Sequence, residues 1–167
     1  VYCDPELFGW QREQLFARSW LYVDFRKQVE QNLYPLTLLP GYLNEAIVLS
    51  QGTNLVQAFS DVCTHRGALL LEQACQSKTI RCPYHGRSFD LNGRFLAMPC
   101  FEQALDFPRE ADHLSRLEFA QHGPFHFVSL DPKQPFKDWF QAFDVFDWVP
   151  WQDFEFAPEL SRDYPLA

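Results

Sequence analysis

Short runs of alternating hydrophobic and polar residues fill most of the chain, and turn residues separate them at close intervals. Residues 46–62 read AIVLS, then the turn QGTN, then LVQAFSDV, a pattern that predicts a β-hairpin. Residues 79–98 predict a second hairpin that turns at Asn-Gly 92–93, and residues 117–132 predict a third that turns at His-Gly-Pro 122–124. Strands this short with turns this frequent indicate a mainly β domain of antiparallel sheets that ends near residue 132.

Both ends of the chain carry helical patterns. Residues 4–20 predict a first helix, because Asp4 is a favourable cap, Pro5 suits the first helical position and Glu6 favours the positive end of the helix dipole. Aromatic residues at positions 136, 139, 140 and 143 recur at helical spacing, which predicts a short amphipathic helix over residues 135–146.

The C-terminal segment differs in composition from the rest of the chain. Residues 131–167 contain ten aromatic residues, and their eight acidic against three basic residues give −5 of the net charge of −8. This segment is either a flap that packs on the domain's own core or a surface that meets another domain or subunit. We favour the second interpretation slightly, because so much aromatic area is difficult to bury within a short tail.

Charge and cysteine content exclude several classes of protein. A net charge of −8 disfavours nucleic acid and anionic membrane surfaces as partners. No signal peptide or membrane-spanning run is visible. An odd number of cysteines, five, indicates a reducing compartment, and we expect a cytoplasmic location. Cys3, Cys75 and Cys100 have no ligand-type residue nearby and are interpreted as ordinary thiols.

The candidate chemistry lies in two short Cys-His pairs. The first loop, CTHRG at residues 63–67, offers Cys63 and His65, and the second loop, CPYHG at residues 82–86, offers Cys82 and His85. A structural zinc finger usually groups its two cysteines on one turn and its two histidines on another. One of each on both loops suits a two-iron site, with both cysteines on one iron and both histidines on the other, which is the Rieske ligand set. A zinc site remains the alternative.

The ligand set also has an electrostatic consequence. An oxidised [2Fe-2S] cluster with two thiolates and two neutral imidazoles has no net charge, whereas one with four thiolates carries two negative charges. Adding an electron to the neutral cluster costs less, so Rieske potentials lie at about −150 to +300 mV against about −400 mV for plant-type ferredoxins.

At these residues the sequence resembles the N-terminal half of the alpha subunit of the Rieske non-haem iron oxygenases, the aromatic-ring-hydroxylating type. The shared stretches are DPELFGWQREQLFARSWLYV, CTHRGA, CPYHGRSFDLNGRFLAMPCFE, HGPFHFVSLDP and the closing PELSRDYPLA. The resemblance implies a Rieske iron–sulfur fold with two cluster-binding hairpin loops and a short helix at each end. It implies an N-terminal helix and lead-in strands at 1–45, a Rieske core at 46–132, and an aromatic, acidic tail at 133–167 that leads toward an absent catalytic domain.

The resemblance also implies the functional residues. The metal ligands of the Rieske-type [2Fe-2S] cluster are expected to be Cys63, His65, Cys82 and His85. The residues expected to shape the loops around the cluster are Arg66, Gly67, Tyr84 and Gly86.

The chain departs from the pattern of the family in two ways. Arg87 stands where family members commonly have tryptophan, which could alter the shielding or the docking surface of the cluster. The catalytic half is also missing, since its mononuclear iron needs two histidines and a carboxylate. His113, His122 and His126 are interpreted as turn and surface residues, so this chain alone is predicted not to hydroxylate substrate.

The Rieske loops of the respiratory cytochrome complexes each add a cysteine for a bridging disulfide. Ala68 and Tyr84 occupy those positions here, so no such disulfide can form. Without that disulfide and without a hydroxyl at position 87, we expect a potential toward the low end of the Rieske range.

Charged residues beside the loops have weaker interpretations. Arg81, Arg87 and Arg94 could dock an acidic electron donor, and solvated surface charge is at least as good an explanation. Asp61 could orient the first loop or cap a strand.

Three functions follow from these expectations. The first is an electron relay from a reductase or ferredoxin to the mononuclear iron of a monooxygenase or dioxygenase, in a catalytic domain or neighbouring subunit of an oligomer. The alternative is a stand-alone Rieske-type ferredoxin. The third is an interaction module stabilised by zinc, which is colourless where a Rieske centre is not.

Overall fold

Two antiparallel sheets form the body of the protein in a computed structural model that describes residues 4–25, 31–52, 55–101, 103–155, 157–160 and 162. The larger sheet has six strands in the order β1-β9-β8-β4-β3-β2, and the smaller has three in the order β5-β6-β7. The strands are β1 Leu21–Phe25, β2 Leu33–Leu38, β3 Glu45–Gln51, β4 Val56–Ser60, β5 Ile80–Arg81, β6 Ser88–Phe89, β7 Phe95–Ala97, β8 Arg116–His122 and β9 Phe125–Ser129. The predicted mainly β fold is confirmed.

The predicted hairpins appear as strand pairs. β3 pairs with β4, β6 pairs with β7 across the Asn-Gly turn, and β8 pairs with β9 across Gly123, whose φ of +55° lies in the left-handed region. The third hairpin thus turns where the sequence predicts. Part of the first turn, residues 53 and 54, lies outside the described residues.

The central strands carry hydrophobic residues on both faces. Val48 on β3 lies opposite Phe59 on β4, and both pack into a core beneath the smaller sheet. Their neighbours Leu49 and Ala58 form the next pair and pack into a second core on the other face, with Val128 of β9. Because side chains alternate across a strand, two sheet faces are buried by one hairpin.

The smaller sheet is attached to the larger one at the β6–β7 turn. The Ser50 hydroxyl donates to the carbonyl oxygen of Leu91 (2.7 Å), and the Leu114 amide donates to the carbonyl oxygen of Gly93 (2.8 Å). Gly93 also lies against the ring of Phe59. These contacts attach the smaller sheet, whose strands β5 and β6 flank the second loop, to the larger sheet.

The first helix is shorter than predicted. Helix α1 spans Pro5–Gln14 and is followed by a 3₁₀ turn at Phe16–Arg18, whereas the sequence predicts one helix to residue 20. Asp4 caps the helix as expected, since its carboxylate accepts from two first-turn amides at 3.0 and 3.4 Å. No residue of α1 is buried, and Trp10 is 59% exposed.

The C-terminal aromatic segment is partly buried and partly exposed. Helix α2 covers only Phe136–Phe140 and continues as a 3₁₀ helix at Gln141–Phe146, so the predicted helix is α-helical for five residues. Phe140 is buried with Trp20 and Phe127 in a third core, as a flap requires. Trp148 remains 79% exposed, as an interaction surface requires. Shorter 3₁₀ turns follow at Trp151–Asp153 and Pro158–Leu160.

Among the described residues, no helix combines the length and the apolar character needed to cross a membrane.

Candidate metal centre

The first loop leaves the end of β4 and closes on itself through its backbone. The Cys63 amide donates to the carbonyl oxygen of Ala68 (2.8 Å), and the Gly67 amide donates to the carbonyl oxygen of Cys63 (3.0 Å). Gly67 has a φ of +69°, a conformation that costs residues with a Cβ about 1–2 kcal/mol. This turn presents the residues between Cys63 and Gly67 at its tip.

The second loop joins β5 to β6 and repeats the same closure. The Cys82 amide donates to the carbonyl oxygen of Arg87 (2.8 Å), and the Gly86 amide donates to the carbonyl oxygen of Cys82 (3.1 Å). Gly86 has a φ of +74°, and a Cβ there would lie 3.3 Å from both the Arg81 guanidinium and Pro99. Two turns of one design therefore carry the two Cys-His pairs, although the spacing of Cys to His differs by one residue.

The two cysteines lie together at the base of the loops. Cys63 and Cys82 are each 3% exposed and belong to the same hydrophobic core. Burial raises the pKa of the Cys63 thiol, the adjacent Cys82 thiol raises it further, and the charge of Arg87 acts in the opposite direction. Two buried thiols in contact are a pair of sulfur donors that a metal would deprotonate.

The two histidines lie together at the outer side. The rings of His65 and His85 are 4.9 Å apart between centroids at an angle of 70°. Partial burial lowers the pKa of His65, as do the charges of His85 and Arg87, which favours the neutral imidazole that binds metals. His85 Nδ1 is buried without a hydrogen-bond partner. A buried nitrogen without a partner is costly, and a metal bond would satisfy it.

Sulfur donors on one side and nitrogen donors on the other fit the unequal ligation of a two-iron cluster, in which each iron takes only two ligands from the protein. Within the described ranges, no group of three or more His, Cys, Asp and Glu side chains is arranged to hold a single ion. The donor set present therefore matches a Rieske cluster in type and in number on each side.

The remaining loop residues lie around this donor set at the surface. Tyr84 is 60% exposed, and its ring covers that of His85 at 3.7 Å between centroids. Arg66 and Gly67 are exposed at the tip of the first loop. The rim of the site thus consists of two partly exposed imidazoles, one exposed phenol and one exposed guanidinium.

Arg87 corrects one expectation. Its position in the sequence predicts a surface residue like Arg81 and Arg94. Those two are exposed, but Arg87 is only 3% exposed. Its Nη1 donates to Thr64 Oγ1 (2.8 Å) and to Asp112 Oδ1 (3.1 Å). Nothing in the local sequence signals this burial, because Asp112 lies 25 residues away along the chain.

Asp61 is a second buried charge beside the first loop. It is 1% exposed, and its amide donates to the carbonyl oxygen of Ala46 (2.9 Å) while its carbonyl oxygen accepts from Leu70 (2.9 Å). Burial raises the pKa of its carboxyl group to about 7, although a hydrogen bond from the Leu71 amide opposes the shift. The residue lies in the core next to the loop rather than at a solvated strand end.

The other three histidines make contacts with residues outside the Cys-His loops. His113 Nδ1 accepts from the Phe95 amide (2.9 Å), and the ring of His122 lies 4.5 Å from that of Phe140 between centroids. His126 is 3% exposed on β9, so the expectation of a surface position is wrong for this residue.

Two of the other cysteines are described: Cys75 packs against the core that contains Cys63 and Cys82, and Cys100 lies in the segment after β7. Cys75 is partly buried and forms a bridge with Leu33, and Cys100 is exposed. Cys3 lies outside the described residues.

The fold and the two loops define an iron–sulfur protein of the Rieske type. The Rieske [2Fe-2S] domain family matches residues 19–113, and the chain belongs to this family. Its cofactor is a Rieske-type [2Fe-2S] cluster, and the general function of such a domain is electron transfer.

Similar proteins narrow the class to the Rieske oxygenases. The chain is 32% identical to choline monooxygenase of Amaranthus tricolor over 132 residues, which is 78% of this chain and 29% of that protein. It is 32% identical to the carnitine monooxygenase oxygenase subunit of Escherichia coli K12 over 134 residues, 78% of this chain and 35% of that subunit. The chain spans about a third of the length of these curated relatives.

Solved structures agree on the fold. The quaternary ammonium Rieske monooxygenase CntA superposes with a TM-score of 0.77 at 25% identity, over 87% of this chain and 43% of that one. Naphthalene 1,2-dioxygenase superposes with a TM-score of 0.70 at 23% identity, over 83% of this chain and 32% of that one. The resemblance to the alpha-subunit Rieske domain of these oxygenases is therefore confirmed.

Proposed function

We propose that Cys63, His65, Cys82 and His85 hold the [2Fe-2S] cluster, the cysteines on the inner iron and the histidines on the outer one. The contact between the two buried thiols, the approach of the two imidazoles and the unpartnered Nδ1 of His85 support this assignment. Arg66, Gly67, Tyr84 and Gly86 form the surrounding loop surface in this proposal.

We further propose that the chain relays single electrons from a reductase or ferredoxin to a mononuclear iron outside this chain. The bound cluster supplies one-electron chemistry, and the protein controls access to it. The observation that carries the proposal is the match to oxygenase subunits that are about three times as long. The partly exposed imidazoles and the exposed Tyr84 offer a rim at which an electron partner can approach, while the thiols on the inner side are buried.

The aromatic tail has a place in this proposal. Phe143, Phe146 and Trp148 are 45%, 44% and 79% exposed, and large exposed apolar patches mark sites of interaction. We propose that these residues meet the catalytic domain or a neighbouring subunit in an oligomer located in the cytoplasm. Trp148→Ser in the full-length protein should weaken that contact and raise the protein concentration at which half of the oligomer is dissociated. An unchanged concentration contradicts this part of the proposal.

The ligand assignment is tested with matched cysteine variants. The purified chain and its Cys82→Ser and Cys75→Ser variants are reconstituted anaerobically with iron and sulfide, and labile sulfide, visible absorption and the electron paramagnetic resonance signal after dithionite are measured. We expect the parent chain and Cys75→Ser to give a Rieske spectrum and Cys82→Ser to lose it. Equal cluster content in all three proteins, or a colourless zinc-containing product, contradicts the assignment.

The relay itself is tested on the full coding sequence. We expect the reading frame after position 167 to encode two histidines and a carboxylate that bind a mononuclear iron. In that full-length protein, Cys82→Ser should abolish product formation driven by a reductase and leave the mononuclear iron content unchanged. A reading frame that stops there, with a cluster that is still reduced by the donor, favours the stand-alone ferredoxin instead.

A further inference from the structure

Arg87 is a charged side chain held inside the protein. The residue is 3% exposed, and Cζ of its guanidinium lies 5.5 Å from the ring centroids of both Phe95 and Phe107. Its Nε also faces Met98 Sδ at 3.5 Å. Aromatic faces and a thioether stabilise a cation less than the water molecules that would hydrate it on the surface. The charge of Arg87 is therefore held in surroundings of low polarity.

This cation lies beside both loops. Its Nη1 donates to the hydroxyl of Thr64, the residue between Cys63 and His65 on the first loop. Its own carbonyl oxygen accepts from the Cys82 amide and closes the second loop.

The charge is only partly balanced. Asp112 pairs with Arg87 at 3.1 Å, and its side chain is 18% exposed, six times the exposed fraction of the Arg87 side chain. The other carboxylate oxygen of Asp112 accepts from the Arg109 amide (2.8 Å), and the carbonyl oxygen of Asp112 accepts from the Thr64 hydroxyl (2.8 Å). The nearby exposed arginines, such as Arg81, are screened by solvent in a way that Arg87 is not.

We propose that Arg87 is a positioning residue whose buried positive charge raises the reduction potential of the [2Fe-2S] cluster, and that Asp112 limits this effect. Reduction adds one electron, taken from the reductase or ferredoxin, and therefore one negative charge to the site, with no proton required. A fixed cation nearby stabilises the reduced state more than the oxidised one, and a fixed anion does the opposite. The inference rests on the proposed ligand set.

The test compares midpoint potentials of cluster-loaded variants by redox titration at constant pH and salt. Arg87→Met should shift the one-electron equilibrium at least tenfold toward the oxidised cluster, which corresponds to 59 mV. Arg81→Met removes the same charge from the surface and should shift it less than threefold, with the shift disappearing at high salt. Asp112→Asn keeps Arg87 and removes its counter-charge, so it should shift the equilibrium toward the reduced cluster.

Opposite signs for Arg87→Met and Asp112→Asn separate an electrostatic role from a merely structural one, because both variants lose the same Arg87–Asp112 ion pair and structural damage from that loss would shift both potentials in the same direction. Arg87→Lys keeps the charge and should restore most of the parent potential. If Arg87→Met does not retain its cluster, Asp112→Asn decides, and an unchanged or lower potential overturns the proposal. Parent protein without any cluster refutes the ligand assignment instead, so the two failures are distinguishable.

Discussion

Replacement of Gly93 by alanine tests how the second loop is held on the main sheet. Gly93 lies in the β6–β7 turn with a φ of +76°, and a Cβ built there would lie 2.6, 2.8 and 3.1 Å from three ring carbons of Phe59. Phe59 is 2% exposed and belongs to the core that contains both loop cysteines. The ring has no open space into which it can move, so the turn must shift instead.

Two terms set the size of the effect. An alanine in the left-handed conformation costs roughly 1–2 kcal/mol, and overpacking a filled core costs roughly 1–3 kcal/mol. The expected loss is therefore about 2–5 kcal/mol, a large fraction of the ~5–15 kcal/mol that stabilises a typical domain.

Gly41→Ala is the matched control, because Gly41 has a φ of +80° and nothing within 4 Å of a built Cβ. Gly41→Ala should therefore lose only the free energy that an alanine costs in the left-handed conformation, roughly 1–2 kcal/mol. Any gain from a stiffer unfolded chain is common to both variants and cancels in the comparison. The difference between Gly93→Ala and Gly41→Ala therefore measures the contact with Phe59 alone.

The measurement is anaerobic urea unfolding of the cluster-loaded chain followed by tryptophan fluorescence, with midpoints compared at equal slope. Gly93→Ala should unfold at distinctly lower urea than Gly41→Ala, and adding Phe59→Leu should return part of the loss. Equal midpoints for the two glycine variants refute the close approach of the turn to Phe59.

Three further predictions concern buried and capping groups. The folded pKa of Asp61 lies above its unfolded value, so stability falls as pH rises from about 4 to about 7, by roughly 4 kcal/mol in all. The parent chain should therefore unfold at lower urea at pH 8 than at pH 5, and Asp61→Asn should abolish this difference. The exposed Asp138→Asn is the control and should keep it. A difference that persists in Asp61→Asn contradicts the buried carboxyl. Thr64→Val removes an acceptor of Arg87 and should lower the free energy of unfolding by about 1–2 kcal/mol, and an unchanged value argues against that hydrogen bond. Asp4→Ala removes the cap of α1 and should lower the stability of its first turn by about 1 kcal/mol. Amide hydrogen exchange in that turn should become faster, and exchange in β3 is the unaffected reference.

The sequence by itself determined three hairpin strand pairs, the cap at Asp4 and the family of the protein. Alternation over a few residues and turn residues such as Gly123 are short-range signals, and a strand pair joined by a tight turn needs little else. The two Cys-His pairs are equally local, because each offers its donors within one turn. The Rieske-type cofactor could therefore be predicted before any tertiary contact was known.

Tertiary structure alone decided which charges are buried. Arg87 looked like a surface residue because its partner Asp112 and its neighbour Phe107 come together with it only when the chain folds. His126 also looked like a surface residue, and its burial on β9 depends on the elements that the fold places against that strand. The helix at the end of the chain stops after five α-helical residues, where its aromatic side chains pack on Phe127. Burial depends on what the rest of the chain places against a residue, and sequence spacing carries no such information.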